Sequence, residues 1–177
     1  MSGQNIISSL EITNWLCRRA ESEKRRLTES KLQHLLFLAQ IHYALKSGKF
    51  LMPSLFVCGR SGFYEPTIRQ IMSFGLPLMN APVFKEEITT FLDLIWKKYA
   101  GQSEEELERF ILSLECFKHF YRPEEETIVN PMYFTDSFAG SIQKDKAENH
   151  ASKILLSQNG PVKVSAWHPR KLHSDKK

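Results

Sequence analysis

The most constraining feature of the sequence is a segment near residue 30 that would be apolar on almost every side of a helix. Thr28 is suited to cap its start, and Gly48 can adopt the left-handed conformation that often ends helices. A helix that is apolar nearly all round is stable only when other elements surround it, so we expect it at the centre of the core. Its apolar residues are Leu32, Leu35, Leu36, Phe37, Leu38, Ala39, Ile41, Tyr43 and Leu45.

Other helices are indicated by the residues at their predicted ends. Ser8 and Ser103 are each followed three residues later by Glu, the spacing of a capping box that satisfies free N–H groups. Pro66 and Pro82 fit first helical positions, because proline has no N–H to leave unpaired. We expect the helix after Ser103 to continue until just before Pro123.

A small β element is predicted after the central helix. Residues 50–58 are apolar but contain Pro53, a pattern that suits an edge strand or one arm of a short hairpin. The Gly-rich stretch 59–62 predicts a turn. After an acidic connector at residues 124–127, a last helix is expected at residues 132–142. The predicted fold is therefore mainly α: a compact helical domain with a small β element, either a hairpin or a short sheet.

The C-terminal segment differs from the rest in charge. Residues 141–177 contain eight Lys and Arg against three Asp and Glu, a net charge of +5, whereas the remainder carries −1. We therefore divide the chain into a helical domain at residues 1–143 and a basic C-terminal tail at residues 144–177. Its apolar islands, at residues 154–156 and 162–167, leave two alternatives open: a flexible tail that docks on a partner, or a strand added to the domain.

Composition excludes several classes of protein. No apolar run approaches the roughly 20 residues that span a bilayer, and the polar start of the chain lacks the pattern of a signal peptide. The three cysteines, Cys17, Cys58 and Cys116, form no CxxC pair, which argues against a disulfide framework or a zinc site. We expect a cytoplasmic protein that does not enter a membrane.

The sequence contains no convincing catalytic motif. Ser61 lies in a Gly-rich turn, but Phe63 occupies the position where a GxSxG elbow requires glycine. Cys116 and His119 would share a helix face, yet no orienting group or oxyanion element accompanies them. No phosphate-binding or dinucleotide-binding glycine pattern is present. We therefore predict no catalytic residues, no metal site and no cofactor.

Residues 27–40 read L-T-E-S-K-L-Q-H-L-L-F-L-A-Q. This stretch resembles the signature of the Panacea domain, the SocA-like antitoxin and phage-associated family, whose pattern is similar to L-T-x-x-K-L-Q-K-L-L-Y-F-A-Q. His34 stands where that pattern has Lys. Looser similarity at residues 56–61 and 91–103 extends the resemblance over roughly residues 5–140, which leaves the tail outside it.

The resemblance implies a mainly α fold with a small β element and a non-enzymatic, protein-binding role. Family members are described as antitoxins that bind a toxin, or as adaptors that present it to a Clp protease, so the implied partner is a toxin or a protease-related protein. A divergent member recruited as a secreted effector is an alternative. Another is a nucleic-acid-binding or regulatory protein that uses the basic tail and a cluster of arginines at positions 18, 19, 25 and 26.

The predicted partner-binding residues surround the turn after the extended arm. Aromatic and arginine side chains carry a large share of the binding energy at protein interfaces, and several are concentrated here. Lys31 and His34 of the central helix are included because they could line the same surface. The alternative for Phe56 and Phe63 is that they pack beneath the turn. The set is Lys31, His34, Phe56, Arg60, Phe63 and Tyr64.

Overall fold

The computed structural model describes residues 7–129, 153–157 and 160–164, and it confirms a mainly α fold with a small β element. The helices of this part of the chain are α1 (Ser9–Ser22), α2 (Glu29–Ser47), α3 (Pro66–Phe74), α4 (Glu86–Tyr99), α5 (Glu104–Ser113) and α6 (Glu115–Phe120). The strands are β1 (Phe56–Gly59), β2 (Gly62–Tyr64), β3 (Thr127–Val129), β4 (Lys153–Ser157) and β5 (Gly160–Val164).

The central position predicted for α2 is confirmed. Every residue from 32 to 41 is buried, and α1, α3, α4, α5 and β2 all contact this helix. The Thr28 hydroxyl accepts a hydrogen bond from the backbone N–H of Lys31 at 3.3 Å, and Gly48 ends the helix at a φ of 66°. Both ends are thus determined by the local residues that indicated them.

Two buried glutamines of α2 hold the backbone that leads into and out of the β element. The Gln40 side chain accepts from the N–H groups of Leu51 and Met52, each at 3.1 Å, and donates to the Met52 carbonyl at 2.9 Å. Gln33 accepts from the N–H of Glu65 at 2.8 Å. These bonds satisfy backbone groups that no strand pairs. They explain why residues 51 and 52, which belong to the predicted extended arm, are not part of a strand, and β1 begins only at Phe56.

The first sheet is antiparallel with strand order β2-β1-β3. Cys58 lies opposite Phe63, so β1 and β2 form a hairpin whose two loop residues are Arg60 and Ser61. The sequence does not predict β3, because Thr127 falls in the expected acidic connector and residues 128 and 129 fall in the stretch expected to lead into the last helix. Its three residues pair with β1 from far along the chain, and such a short strand has no local sequence signal.

Two helix boundaries differ from the prediction. α4 begins at Glu86 rather than at Pro82, and Lys85 before it is extended, with φ −60° and ψ 148°. Side chains of α1 bind the backbone just before Pro82. Asn14 donates to the Asn80 carbonyl at 2.8 Å, and Arg18 donates to a neighbouring carbonyl at 2.6 Å.

The helix that begins at Glu104 also does not continue to Pro123. Leu114 is extended, with φ −64° and ψ 137°, which interrupts the helical backbone between α5 and α6, and its side chain is buried.

The chain divides into two compact units, residues 1–139 and 140–177. In the second unit the structure describes an antiparallel hairpin, in which Ser157 of β4 lies opposite Gly160 of β5. The apolar islands predicted in this segment therefore contribute residues to two strands that pair with each other. The predicted helix at residues 132–142 lies outside the described residues.

A candidate protein-binding cleft

A cleft of about 720 Å³ lies beside the β1–β2 turn. Its walls come from the turn, from the first residues of α2 and α5, and from the segment at residues 122–126 that joins α6 to β3. Four of the six predicted partner-binding residues line it, namely His34, Arg60, Phe63 and Tyr64, whereas Lys31 and Phe56 do not. Segments far apart in sequence thus form one surface.

The turn is held tightly against two helices. His34 Nε2 lies 2.9 Å from the carbonyl oxygen of Ser61. Gly62 has a φ of 120°, and a Cβ built on it would lie 2.9 Å from Ile111 Cγ2 and 3.0 Å from His34 Nε2. Only glycine fits this close approach without displacing a neighbour. The turn and this wall of the cleft are therefore preformed.

Phe56 and Phe63 pack beneath the turn, which is the second of the two alternatives given for them. Phe56 is fully buried and Phe63 is 1% exposed. The Phe63 ring stacks on Phe37 with centroids 4.2 Å apart, and Phe56 meets Phe37 edge-on at 5.6 Å. These side chains pack under the turn and support it, so they are not accessible to a partner.

Lys31 joins α2 to the connection between α4 and α5. Its Nζ donates to the carbonyl oxygens of Ala100 at 2.9 Å and Gln102 at 2.6 Å. Burial lowers the pKa of this ammonium, and the nearby positive charge of Arg25 lowers it further. Because two carbonyls occupy its donors, Lys31 has a role within the fold.

Tyr64 lies at one edge of the cleft in a group of three polar side chains. Its hydroxyl donates to Glu126 at 2.6 Å, and the guanidinium of Arg69 lies 4.5 Å above its ring. Arg69 also pairs with Glu126 at 3.7 Å. Partial burial raises the pKa of the Tyr64 phenol, and the hydrogen bond to the Glu126 carboxylate raises it further. The phenol therefore stays protonated at neutral pH and donates to that carboxylate.

Arg60 is exposed at the tip of the turn, and its guanidinium makes no hydrogen bond or ion pair within the described part of the chain. Glu124 and Glu125 face the same cleft and are likewise exposed. These glutamates and Arg69 were not among the predicted site residues. The run of three glutamates was a visible signal, but only the pairing of β3 with β1 brings it to the turn.

The groups considered for catalysis are poorly arranged for it. Burial raises the pKa of the Cys116 thiol to about 12 and that of Cys58 to about 11, so both stay protonated, whereas a nucleophilic cysteine must be a thiolate. His119 is exposed, with its ring edge-on to a phenylalanine. His34 contacts the carbonyl of Ser61, an atom that cannot act as a nucleophile.

The arginine cluster proposed for nucleic-acid binding is largely engaged in internal contacts. Arg18 donates to a main-chain carbonyl at 2.6 Å. Arg19 and Arg25 each form an ion pair with Glu23 at 2.9 Å. Arg26 is exposed. Phosphate binding through this cluster would require most of these contacts to be exchanged.

Of the helices that the structure describes, none is both long and apolar enough to cross a lipid bilayer. Among the described residues, no group of three or more His, Cys, Asp or Glu is placed to hold a metal ion. No family model, no curated protein and no solved structure matches this chain.

Proposed function

We propose that this protein is a protein-binding module of the antitoxin or proteolytic-adaptor type, which acts without chemistry of its own by neutralising or delivering a partner protein. The observation that carries the proposal is the cleft beside the β1–β2 turn. Arg60 is exposed there without a hydrogen-bond or ion-pair partner in the described part of the chain, and half-buried Tyr64 lies at the rim, whereas His34 and Phe63 support the turn from beneath.

The physical character of the cleft suits recognition of a protein. Its turn is braced by His34 and Gly62, so little conformational entropy is lost when a partner docks. An arginine at a rigid tip and a tyrosine at the rim are residue types that often dominate binding energy at protein interfaces. The cleft can therefore supply a few strong anchors within a larger contact area.

The resemblance of residues 27–40 to the Panacea signature gives the proposal its biological class. That stretch forms the core of α2 and includes His34, which contributes to the cleft. In a member of that family, the partner would be a toxin, which the module either occludes or presents to a protease.

We place this interaction in the cytoplasm. Cys17, Cys58 and Cys116 are all free thiols, and two of them are buried. Unpaired cysteines are ordinary in a reducing compartment, whereas secreted proteins more often pair them.

The test is purification of the tagged full-length protein, at moderate salt, from the cells that make it. Arg60→Ala is compared with Arg26→Ala, which removes an exposed arginine distant from the turn in sequence and absent from the cleft. We expect a stoichiometric protein to be retained by the wild type and by Arg26→Ala. Calorimetry with that protein should show binding at least about tenfold weaker for Arg60→Ala, a loss of about 1.4 kcal/mol.

The mode of action is tested by co-expression with the captured protein. Occlusion leaves the level of that protein unchanged while its toxicity is suppressed, whereas delivery lowers its level in a protease-dependent manner. If nucleic acid is the main companion instead, and high salt or deletion of residues 144–177 removes it, the nucleic-acid alternative replaces this proposal.

A further inference from the structure

The hairpin of β4 and β5 is a sheet of two strands in the part of the chain that the structure describes. Its antiparallel register runs without interruption from Lys153 opposite Val164 to Ser157 opposite Gly160. A two-stranded hairpin alone is marginally stable in water, and further strands or a packed helix are needed for independent stability. Each outer edge of the hairpin is therefore a candidate for further strand pairing.

Pro161 determines which backbone groups point to these outer edges. In an antiparallel pair, opposite residues alternate between those that exchange N–H···O bonds with each other and those whose N–H and C=O groups point outward. Pro161 lies opposite Leu156 and has no N–H to donate to it, so this pair is of the outward-pointing kind. The alternation assigns the same kind to Ile154 and Lys163, which also lie opposite each other.

The two outer edges of the hairpin therefore differ. On β5 the outward-pointing residues are Pro161 and Lys163, and a proline supplies a carbonyl but no donor. On β4 the outward-pointing residues are Ile154 and Leu156, and each supplies both a donor and an acceptor. A further strand can complete its hydrogen bonds on β4 but not on β5.

The sequence of β4 suits antiparallel pairing with a second copy of itself. If Leu155 lies opposite Leu155 of the second copy, Ile154 lies opposite Leu156 of the second copy. Two such pairs form, each exchanging two hydrogen bonds, and these bonds use every outward-pointing group of β4. Lys153 then lies opposite Ser157 of the second copy, so no like charges are opposed.

The same register gives one face of the combined sheet a continuous apolar row. Opposite residues of an antiparallel pair share a face, so Leu155 and Val162 lie on the same face as their counterparts in the second copy. The row runs valine, leucine, leucine, valine across four strands in the order β5-β4-β4-β5. Apolar cross-strand pairs of this kind stabilise a sheet.

We infer that a second copy of this chain pairs with β4, edge to edge and antiparallel about Leu155, so that the two hairpins form one four-stranded sheet. A twofold pair satisfies the same open edge in both copies at once. Because Pro161 closes the other edge, pairing ends at two copies, whereas a hairpin open on both edges would continue to add copies. Dimerisation through β4 uses none of the residues that line the cleft.

The first test measures the mass of the full-length protein by sedimentation equilibrium over a wide range of concentrations. Ile154→Pro removes an outward-pointing N–H of β4, and Lys163→Pro removes the one opposite it on β5. Neither N–H donates within the hairpin, so the two prolines carry the same risk to the hairpin itself. We expect a dimer for the wild type and for Lys163→Pro. The dissociation constant of Ile154→Pro should be at least about tenfold higher, because two of the bonds between the copies are lost.

Disulfide cross-linking tests the register. Leu155→Cys and Val162→Cys are each combined with Cys17→Ser, because Cys58 and Cys116 are buried. In the four-stranded sheet the two copies of position 155 have Cα atoms about 4.5 Å apart, a separation that a disulfide can bridge. The two copies of position 162 are three strand spacings apart, about 14 Å. Mild oxidation should therefore link the copies at position 155 but not at position 162.

A wild type that stays monomeric at every concentration would leave the β4 edge to a strand of another protein and overturn the inference. A dimer that Ile154→Pro leaves intact would place the interface elsewhere on the chain, with the same consequence. Equal losses in both proline variants, or equal cross-linking at positions 155 and 162, would also overturn it. Growth of the wild type beyond two copies would contradict the closing role given to Pro161.

Discussion

Substitution of Gly62 by alanine tests whether the turn beside the cleft is rigid. The new methyl group would lie 2.9 Å from Ile111 Cγ2 and 3.0 Å from His34 Nε2, well inside ordinary contact distance. The backbone at Gly62 has a φ of 120°, a region that alanine rarely adopts. The variant therefore combines backbone strain with a clash against two helices.

The two contributions can be given separate magnitudes. Backbone strain of this kind costs about 1–3 kcal/mol, and overpacking of a tight site costs about 1–3 kcal/mol more. We expect Gly62→Ala to lower the free energy of unfolding by about 2–6 kcal/mol, a large part of the roughly 5–15 kcal/mol of a typical domain.

Two other glycines provide matched controls. Gly48 has a φ of 66° but no atom within 4 Å of the place that a Cβ would occupy, so Gly48→Ala should lose only the strain, about 1–2 kcal/mol. Gly101 has neither feature, and Gly101→Ala should leave stability unchanged or raise it by up to about 1 kcal/mol. Urea unfolding followed by circular dichroism measures all three variants against the wild type.

The ranking of the three variants by lost free energy of unfolding tests whether these contacts constrain the turn. If Gly62→Ala lost no more stability than Gly48→Ala at an unchanged m-value, the contacts with Ile111 and His34 would not constrain the turn. The argument for a preformed cleft would then fail, whatever the absolute values.

Three further predictions concern polar side chains. Gln40→Leu leaves two buried backbone N–H groups without an acceptor, so it should lower the free energy of unfolding in urea by about 2–5 kcal/mol. Gln70→Leu, on the exposed face of α3, should lower it by less than about 0.5 kcal/mol. Equal losses in the two variants would contradict the role given to Gln40. The folded pKa of His34 is lowered from 6.5, so the unfolded chain takes up its proton first and stability should fall as pH drops below 6.5, by at most about 1.4 kcal/mol per pH unit. His34→Asn should abolish that part of the slope, and an unchanged slope in unfolding curves at several pH values would show that His34 is not its source. Arg60→Ala should leave the free energy of unfolding within about 0.5 kcal/mol of wild type, like Arg26→Ala, and a loss above about 1 kcal/mol would mean that Arg60 supports the fold.

The parts of the fold that the sequence predicts well are those determined by neighbouring residues. Ser8 and Ser103 begin helices through capping boxes, and Gly48 ends one, as expected. These signals act over three or four residues, so they are visible in a single sequence. The burial of α2 between residues 32 and 41 is equally predictable, because apolar residues lie nearly all round this part of the helix.

The errors occur where distant residues decide the backbone. Lys85 is extended although Pro82 would have allowed a helix to start earlier, and side chains of α1 bind the backbone at Met79 and Asn80 just before that proline. β3 exists because β1 offers it an edge, and nothing within residues 127–129 demands a strand. Long-range hydrogen bonds of this kind override local preference, and no local pattern reports them.

The sequence predicts the location of the site better than it predicts which of its side chains are exposed. The turn was located from its glycines and aromatics, and His34 was included through its position on α2. The distinction between exposed Arg60 and buried Phe56 and Phe63 depends on how the hairpin sits over Phe37. That arrangement is a property of packing, which a count of anchor-type residues does not contain.

The two glutamines of α2 have a consequence for how the cleft depends on the helix beneath it. Gln33 and Gln40 are seven residues apart, so they face the same side only when the intervening residues are helical. Their hydrogen bonds hold both ends of the segment from residue 51 to residue 65, and this segment contains the turn. Unwinding of α2 would break the hydrogen bonds of both glutamines, and the cleft would lose its shape. Any ligand of the cleft is therefore, by thermodynamic linkage, also a ligand of the helical state of α2, and its concentration sets how often that helix opens.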